Sequence, residues 1–268
     1  MTKEEWLNEK IAVNSGDRPS SIWKSSLLMS WSDRTQCIYE KPRGYVLKDL
    51  GVSPAKIDMM YRQQMDDERE MSKFTKIFNL GIFKTGTGSF HHLMDELNLV
   101  SIHEPPISEI PDSKLKRELL YADSFTGTLT HKYKLIYKLF PNSKYILTTR
   151  NPQSWLKSAR KQFPYNHDFD YSIGNKMLGT KIIHYVKVKE HLFGTSEIWK
   201  LSDEELISKY NNIHKEIKDF FKDKENFMVL NFIDSTEKDK TLKELLKFLD
   251  MDTTLDLKFP HAHKGKSD

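Results

Sequence analysis

The sequence contains a single cysteine, Cys37, among its 268 residues. One thiol cannot build a disulfide framework or a thiolate metal site within the chain, so we expect a reducing compartment, the cytoplasm. No charge-free apolar stretch approaches the roughly 18 residues that a membrane-spanning helix requires. The first residues, MTKEE, show no signal-peptide pattern. We therefore expect a protein without membrane association.

The sequence also lacks a strong charge of either sign. It has 42 basic and 38 acidic residues, a formal net charge of +4. This excess is too small to predict nucleic-acid binding, but a small polyanionic ligand needs only a few well-placed cations. Aromatic residues make up 12% of the chain, which is enough to build a hydrophobic core and to exclude wholesale disorder.

No internal repeat or low-complexity tract is present. Residues 1–73 are polar, rich in Met and Arg, and contain three tryptophans. We predict that they form an N-terminal extension, with a helix over 52–71 that begins at Ser53-Pro54. Residues 74–268 then form the main domain.

From residue 74 onward, strand-like and helix-like segments alternate. This order predicts an α/β domain in which a parallel sheet of four or five strands is flanked by helices. Ligands of such sheets bind beyond the carboxyl ends of the strands. We predict strands over 75–83, 99–103, 121–126, 144–149 and 227–232, and helices over 89–97, 130–140, 152–162, 173–192, 202–221 and 240–249. The helix over 202–221 begins with the capping box Ser202-Asp203-Glu204-Glu205.

The first motif, which we call the lysine loop, is GIFKTGTGS over residues 81–89, between a predicted strand and a predicted helix. Glycines permit a tight turn that bares backbone N–H groups, and the helix N-terminus adds partial positive charge. Lys84 and the hydroxyls of Thr85, Thr87 and Ser89 complete a predicted phosphate cradle. The loop is not a Walker A motif, because Lys84 precedes the turn glycines instead of following them.

The second motif is FPNSKYILTTRNP over residues 140–152, followed by Ser158. Arg150 ends a predicted buried strand, where the ligand edge of the sheet is expected. An arginine binds phosphate as a charged fork, and a serine on the next helix adds a hydroxyl donor. Arg150 and Ser158 are therefore a candidate phosphate-binding pair.

Together the two motifs resemble the PAPS-dependent sulfotransferases, where PAPS is 3′-phosphoadenosine 5′-phosphosulfate. The run from Phe140 to Pro152 is especially similar to the P-loop branch that pairs a G-x-P-[KR]-T-G-T loop with an F-P-x-[SA]-K-x-I-L-T-x-R run. The resemblance covers about residues 75–268 and ends with Phe259-Pro260-His261, which is similar to a terminal F-P-H segment. The sequence departs from the branch at Phe83, which replaces proline, at Gly88, which replaces a hydroxyl residue, and at Gly127, where an aspartate is frequent.

The resemblance implies a single P-loop-like domain and an enzyme that moves a sulfuryl group from PAPS to a small-molecule acceptor, natural products among the candidates. Lys84 would stabilise the charge that develops on the leaving oxygen. The implied donor-binding residues are Lys84, Thr85, Gly86, Thr87, Gly88, Ser89, Arg150, Ser158, Lys264 and Lys266. No metal is implied, and no His/Asp/Glu cluster shows ligand spacing in the sequence.

The acceptor must lose a proton, and we expect His103 to take it, because a neutral imidazole titrates near physiological pH. Glu104 is the competing candidate, since only one of two neighbours in a strand faces the site. Asp123, or no base at all for an acidic acceptor, is the remaining alternative.

Three rival functions are weaker. An ATP-dependent P-loop phosphotransferase would require Mg²⁺ ligands and a lysine after the glycines. A non-catalytic nucleotide-binding protein would lack a base, and a Golgi-type sulfotransferase would require an anchor and usually disulfides. The sequence does not specify the acceptor, the sulfated atom (oxygen or nitrogen) or the oligomeric state. We expect residues 1–73 to cover the acceptor site.

Overall fold

The computed structural model describes residues 1–8, 10–13, 39–49, 51–71, 75–105, 107–162 and 180–260. The chain divides into two compact units, one formed by Met1–Phe74 with Glu109–Tyr121, the other by Thr75–Ser108 with Ala122–Asp268. The segment 109–121 thus groups with the N-terminal unit. The predicted division into domains 1–73 and 74–268, with its functional meaning, stays a prediction.

The described helices and strands, in chain order, define the labels used below. The helices are α1 (Lys3–Asn8), α2 (Arg43–Asp49), α3 (Pro54–Met71), α4 (Thr87–Glu96), α5 (Asp112–Glu118), α6 (Tyr133–Leu139), α7 (Pro152–Gln162), α8 (Thr180–Phe193), α9 (Asp203–Phe221) and α10 (Lys238–Phe248). The strands are β1 (Lys10–Val13), β2 (Tyr39–Pro42), β3 (Ile77–Asn79), β4 (Ser101–His103), β5 (Ser124–Thr126), β6 (Lys144–Thr148) and β7 (Phe227–Leu230).

The N-terminal unit contains α1, α2, α3 and α5, and an antiparallel pair formed by β1 and β2. A polar network joins α3 to the segment 109–121. The indole Nε1 of Trp6 donates to Gln64 Oε1 at 2.7 Å, and the Gln64 amide donates to Glu68 at 2.9 Å. Glu68 also accepts from Arg117 Nε at 2.8 Å and from the Tyr121 hydroxyl. Because these groups satisfy one another, the unit can bury them.

The second unit is built on a five-stranded parallel sheet with the order β4-β5-β3-β6-β7. The predicted fold class, a parallel α/β sheet flanked by helices, is therefore confirmed. Parallel strands are covered on both faces and so read as nearly continuous apolar runs. This property makes KYILT of β6 and FMVL of β7 recognisable in the sequence.

Alternate residues of the central strands face opposite layers of helices. Ile77 and Ile146 lie in a core with apolar residues of α4 and α10. Phe78 and Tyr145 face the other layer, where their rings lie 5.4 Å apart, and the Tyr145 ring is 5.1 Å from that of Phe221 on α9. The sheet therefore separates two apolar layers.

The differences from the predicted elements lie mainly at their ends. The predicted strand over 75–83 pairs only over Ile77–Asn79, because the chain then turns into the lysine loop. The predicted helix over 130–140 is a 3-10 turn, Thr128–Lys132, followed by α6. The predicted start of α8 at residue 173 lies outside the described residues. Helix α5 is short and was not predicted.

The capping box of α9 is confirmed. Ser202 Oγ accepts from the Glu205 N–H at 3.1 Å, and Glu205 Oε2 accepts from the Ser202 N–H at 2.7 Å. Within the described ranges, no helix combines the length and the apolar character needed to cross a bilayer.

Candidate active site

The lysine loop leaves the carboxyl end of β3, the central strand of the sheet. After β3 the chain builds β4 and β5 on one side and then β6 and β7 on the other. The order of the strands therefore reverses at β3, which is where ligands of doubly wound sheets bind. The loop and the end of β6 lie at this position.

Two residues of the lysine loop have left-handed backbone conformations: Lys84 has φ 64° and Gly86 has φ 95°. Gly86 is also the N-cap of α4. A Cβ atom at Gly86 would lie 2.5 Å from the Phe232 ring, so both the backbone angle and the space require glycine. The turn brings Lys84 next to the N-terminus of α4, and the backbone N–H groups and partial positive charge of a helix N-terminus favour an anion.

The hydroxyl of Thr85 lies inside the loop. It donates to the carbonyl of Ile82 at 2.7 Å and is 3.0 Å from Thr148 Oγ1, which donates to Asn79 Oδ1 at 3.0 Å. Thr85 is fully buried. Its side chain therefore fixes the loop on the ends of β3 and β6, and does not point outward as the predicted cradle of hydroxyls requires.

The rest of the predicted cradle lies on the first turn of α4. Thr87 and Ser89 are buried, and Gly88 between them is half-buried. The Thr126 hydroxyl donates to the carbonyl of Thr87 at 3.2 Å, which holds this turn against β5. These residues supply backbone N–H groups and hydroxyls at the helix N-terminus.

The Arg150 side chain of the second motif contacts the backbone of the lysine loop at the ligand edge of the sheet. Arg150 Nη1 lies 3.4 Å from the carbonyl oxygen of Lys84. Burial lowers the pKa of the Lys84 ammonium, and the positive charge of Arg150 lowers it further. Two cations that repel each other in this way form a favourable site for a polyanion.

Tyr210 on α9 holds the backbone of Arg150. Its hydroxyl accepts from the Arg150 N–H at 2.9 Å and donates to the Arg150 carbonyl at 2.7 Å. Burial is the main reason that the pKa of Tyr210 is raised to about 12. The phenol therefore stays protonated, and its hydroxyl can donate one hydrogen bond while it accepts the other. Tyr210 is not among the site residues predicted from the sequence, although its position on the apolar face of α9, four residues after Leu206, marks it as inward-facing.

The Arg150 side chain extends toward α7. Its Nε donates to Ser154 Oγ at 2.8 Å. Ser158, the predicted partner, is half-buried on the same helix, one turn beyond Ser154. Lys264 and Lys266 lie outside the described residues.

A cleft of about 630 Å³ lies beside Arg150, where β6 and β7 end. Its walls include Arg150, Tyr210, Lys218 and Asp234. Asp234 Oδ1 is 3.9 Å from Arg150 Nε, and Oδ2 accepts from the Asn151 N–H at 2.5 Å. This cleft is large enough for part of a nucleotide.

A smaller cavity, of about 40 Å³, lies next to the lysine loop on the β4 and β5 side of the sheet. Phe83, Thr87, Glu104 and Lys189 are among the residues that line it. Lys189 is 9% exposed, and burial lowers the pKa of its ammonium to about 8. The volume accommodates only a few non-hydrogen atoms.

The two predicted bases at the end of β4 face different surroundings. The His103 ring stacks on His91 with 5.6 Å between centroids, and its Nε2 is 3.4 Å from Thr87 Oγ1. Glu104 has φ 56°, so the chain leaves the strand there, and Glu104 lines the small cavity. Asp123 precedes β5, at the opposite end of the sheet from the lysine loop.

Helix α4 also contains a group of metal-ligating residues. One ligand atom each from His91, His92 and Asp95 lies within 4.8 Å of the others. The expectation that no His/Asp/Glu cluster has ligand spacing was therefore wrong: the helix places residues 91 and 95 on one face, which the sequence analysis overlooked.

The fold is that of a P-loop-like α/β protein, with the lysine loop and Arg150 beside each other at one edge of its parallel sheet. The family described as "Sulfotransferase domain" matches residues 112–267, more than half of the chain. The chain belongs to this sulfotransferase family. The match includes Arg150 and Ser158, whereas the lysine loop precedes it.

The structure is also similar to the crystal structure of a sulfotransferase from Alicyclobacillus acidocaldarius. The TM-score is 0.42 at 14% sequence identity, over 72% of this chain and 87% of the other. Comparison with the curated proteins finds no match.

Proposed function

We propose that the protein transfers a sulfuryl group from PAPS to a hydroxyl or nitrogen of a small-molecule acceptor. The observation that carries this proposal is the approach of Arg150 to the lysine loop at the ligand edge of the sheet. Membership of the sulfotransferase family supplies the reaction class.

The donor would lie across the centre of the sheet. In this arrangement the lysine loop and the N-terminus of α4 bind the 5′-phosphosulfate. Arg150 and Ser158 bind the 3′-phosphate, and the nucleoside occupies the cleft of about 630 Å³ beside them. The loop carbonyl that Arg150 approaches belongs to Lys84, so the two phosphate sites adjoin each other.

In the reaction, the acceptor oxygen or nitrogen forms a bond to sulfur while the bond between sulfur and the bridging oxygen breaks. The leaving group is adenosine 3′,5′-bisphosphate, and its bridging oxygen gains negative charge. Lys84 is the cation nearest to this charge in our proposal, and it stabilises the transition state more than the ground state. The acceptor proton passes to a base on the enzyme.

The small cavity favours Glu104 over His103 as that base. Glu104 lines the cavity beside Phe83 and Thr87, next to the lysine loop. His103 is not among the lining residues: its ring stacks on His91, and its Nε2 reaches only to Thr87 Oγ1, at 3.4 Å. A base must lie within hydrogen-bond reach of the acceptor. We therefore assign the proton to the Glu104 carboxylate, and the His103 prediction becomes the alternative.

The cavity of about 40 Å³ accommodates only the reacting end of an acceptor. The rest of the acceptor must contact other surfaces, and residues 1–73 are the segment that we propose for this role. Deletion of residues 1–50 should then raise the KM of the acceptor more than that of PAPS. An equal effect on both KM values would make the segment structural.

The direct test is incubation of the protein with PAPS and a panel of alcohols, phenols and amines, read by mass spectrometry. We expect one acceptor class to gain an SO₃ unit with release of adenosine 3′,5′-bisphosphate. Lys84→Ala is the negative control, and Lys243→Ala, an exposed lysine on α10, is the matched control. If no acceptor reacts although the nucleotide binds, the protein is a nucleotide-binding protein without this activity.

The phosphotransferase alternative predicts different requirements. Because Lys84 and backbone N–H groups neutralise the donor in our proposal, activity should persist in EDTA. Complete loss of activity with EDTA, restored by Mg²⁺, would favour transfer from ATP. Cell fractionation would test the cytoplasmic location that we propose from the single cysteine.

A further inference from the structure

Helix α4 contains a cluster of His91, His92 and Asp95 that the proposed function does not use. We propose that this cluster binds a divalent transition-metal ion of the zinc type. One ligand atom from each residue lies within 4.8 Å of the other two. Small side-chain rotations bring such atoms to the roughly 2.0–2.2 Å that zinc forms with imidazole nitrogen and carboxylate oxygen.

The donor set suits this class of ion. Two imidazole nitrogens and one carboxylate oxygen are a frequent three-residue set for zinc, which then completes its coordination with water. Calcium and magnesium prefer sites made entirely of oxygen ligands, so the two histidines select against them. The ion expected here is Zn²⁺ or a neighbour in the first transition row.

His91 and Asp95 are placed so that one ion can bind both side chains. They stand four residues apart on α4, and His91 Nε2 lies 3.5 Å from Asp95 Oδ2. An ion between them would replace this direct contact. His92 is exposed, and its ring lies beside that of His91 with 5.3 Å between the centroids, so a rotation of the side chain can bring a ring nitrogen to the ion.

Ser101 on β4 orients the His91 ring. Its Oγ lies 2.8 Å from His91 Nδ1. A serine hydroxyl both donates and accepts, so it fits either tautomer of the ring. With an ion on Nε2, the proton resides on Nδ1 and is donated to Ser101 Oγ, the outer contact that metal-binding histidines usually make.

The test is titration of the protein with ZnCl₂ by isothermal calorimetry. The variant background His261→Gln/His263→Gln removes the two histidines of the C-terminal HAH sequence, which would otherwise contribute binding. We expect one ion per chain. Asp95→Asn and His92→Ala should each lower the affinity at least tenfold, and Ser101→Ala by about tenfold, as is typical for loss of an outer contact.

His191→Gln is the matched control, because His191 is an exposed histidine on α8 outside the cluster. It should leave the zinc affinity unchanged. Absence of zinc binding, or equal affinity in the parent, Asp95→Asn and His92→Ala proteins, would overturn the proposal. Co²⁺ absorption provides a second readout: the ligand-field bands should disappear in His92→Ala while the thermal melt without metal stays unchanged.

Discussion

Gly127 leaves the space that the Glu104 side chain occupies. A Cβ atom at Gly127 would lie 2.9 Å from Glu104 Cγ, closer than side chains tolerate. Glu104 follows His103 and Gly127 follows Thr126, and His103 and Thr126 are register partners in the parallel pair β4 and β5.

This relationship predicts the effect of Gly127→Ala. The methyl group should displace Glu104, and a φ of 100° strains any residue with a Cβ atom. We expect kcat to fall while the affinity for adenosine 3′,5′-bisphosphate stays unchanged. Gly194→Ala is the control: this glycine also has a positive φ, of 73°, but meets only the end of the Lys209 side chain at 3.7 Å.

Glu104→Gln and His103→Gln separate the two candidate bases. Loss of a general base typically lowers kcat by about 10²–10⁴-fold. We expect this loss in Glu104→Gln, with nucleotide binding retained, and a smaller effect in His103→Gln. The reverse pattern would return the role of base to His103.

The charge of Lys84 should set an alkaline limit to nucleotide binding. Burial and the charge of Arg150 lower the pKa of Lys84 below its ordinary 10.5. The affinity for adenosine 3′,5′-bisphosphate should therefore begin to fall, as the pH rises, at a lower pH than an ordinary lysine would cause. Lys84→Arg keeps the positive charge at every pH and should remove this alkaline loss. An unchanged pH profile in Lys84→Arg would show that Lys84 does not contact the nucleotide.

Arg150→Ala and Ser158→Ala should weaken binding of the 3′-phosphate, the arginine variant more strongly. A hydrogen bond to a charged group contributes about 1.5–3 kcal/mol, compared with about 0.5–1.5 kcal/mol for a neutral one. The comparison of adenosine 3′,5′-bisphosphate with 5′-AMP measures this contribution. If both variants keep the wild-type preference for the 3′-phosphate, the second motif is structural.

Tyr210→Phe should also weaken binding of the 3′-phosphate, because Tyr210 holds the backbone of Arg150. The variant leaves the backbone N–H of Arg150 without the hydroxyl that holds it at 2.9 Å. An unpaired buried donor costs about 1–3 kcal/mol. We expect weaker binding of adenosine 3′,5′-bisphosphate and little change for 5′-AMP. Equal losses for both nucleotides would contradict a role specific to Arg150.

Two histidines, the half-buried His131 and the buried His214, predict destabilisation in acid. Burial lowers the pKa of His131 and of His214 from 6.5 to about 4. Between these values the unfolded chain binds more protons than the folded one, so the free energy of unfolding decreases as the pH falls from 6.5 to 4. Urea denaturation across this window should show the decrease. His214→Gln should flatten it.

Much of the fold follows from local patterns. The apolar runs of β6 and β7 and the alternation of strands and helices predict the parallel sheet, and the glycines of the lysine loop predict the turn at its centre. Arg150 could be located at the ligand edge because it directly follows a buried strand. These features depend on neighbours in the chain.

Other features depend on contacts between distant segments. Tyr210 reaches Arg150 from α9, sixty residues later, and nothing in the spacing of the two residues indicates this contact. The choice between His103 and Glu104 depends on the positive φ of Glu104, which ends the alternation of β4. The inward orientation of the Thr85 hydroxyl also depends on a distant residue, because this hydroxyl forms a hydrogen bond with that of Thr148 on β6.

The most direct test of the account is calorimetric titration of the wild-type protein with adenosine 3′,5′-bisphosphate, 5′-AMP, and ATP with Mg²⁺. This measurement needs no knowledge of the acceptor. We expect tight binding of the bisphosphate without metal, at least tenfold tighter than 5′-AMP, on the scale of one charged hydrogen bond to the 3′-phosphate. Equal affinity for the bisphosphate and 5′-AMP, or a clear preference for ATP with Mg²⁺, would contradict this expectation.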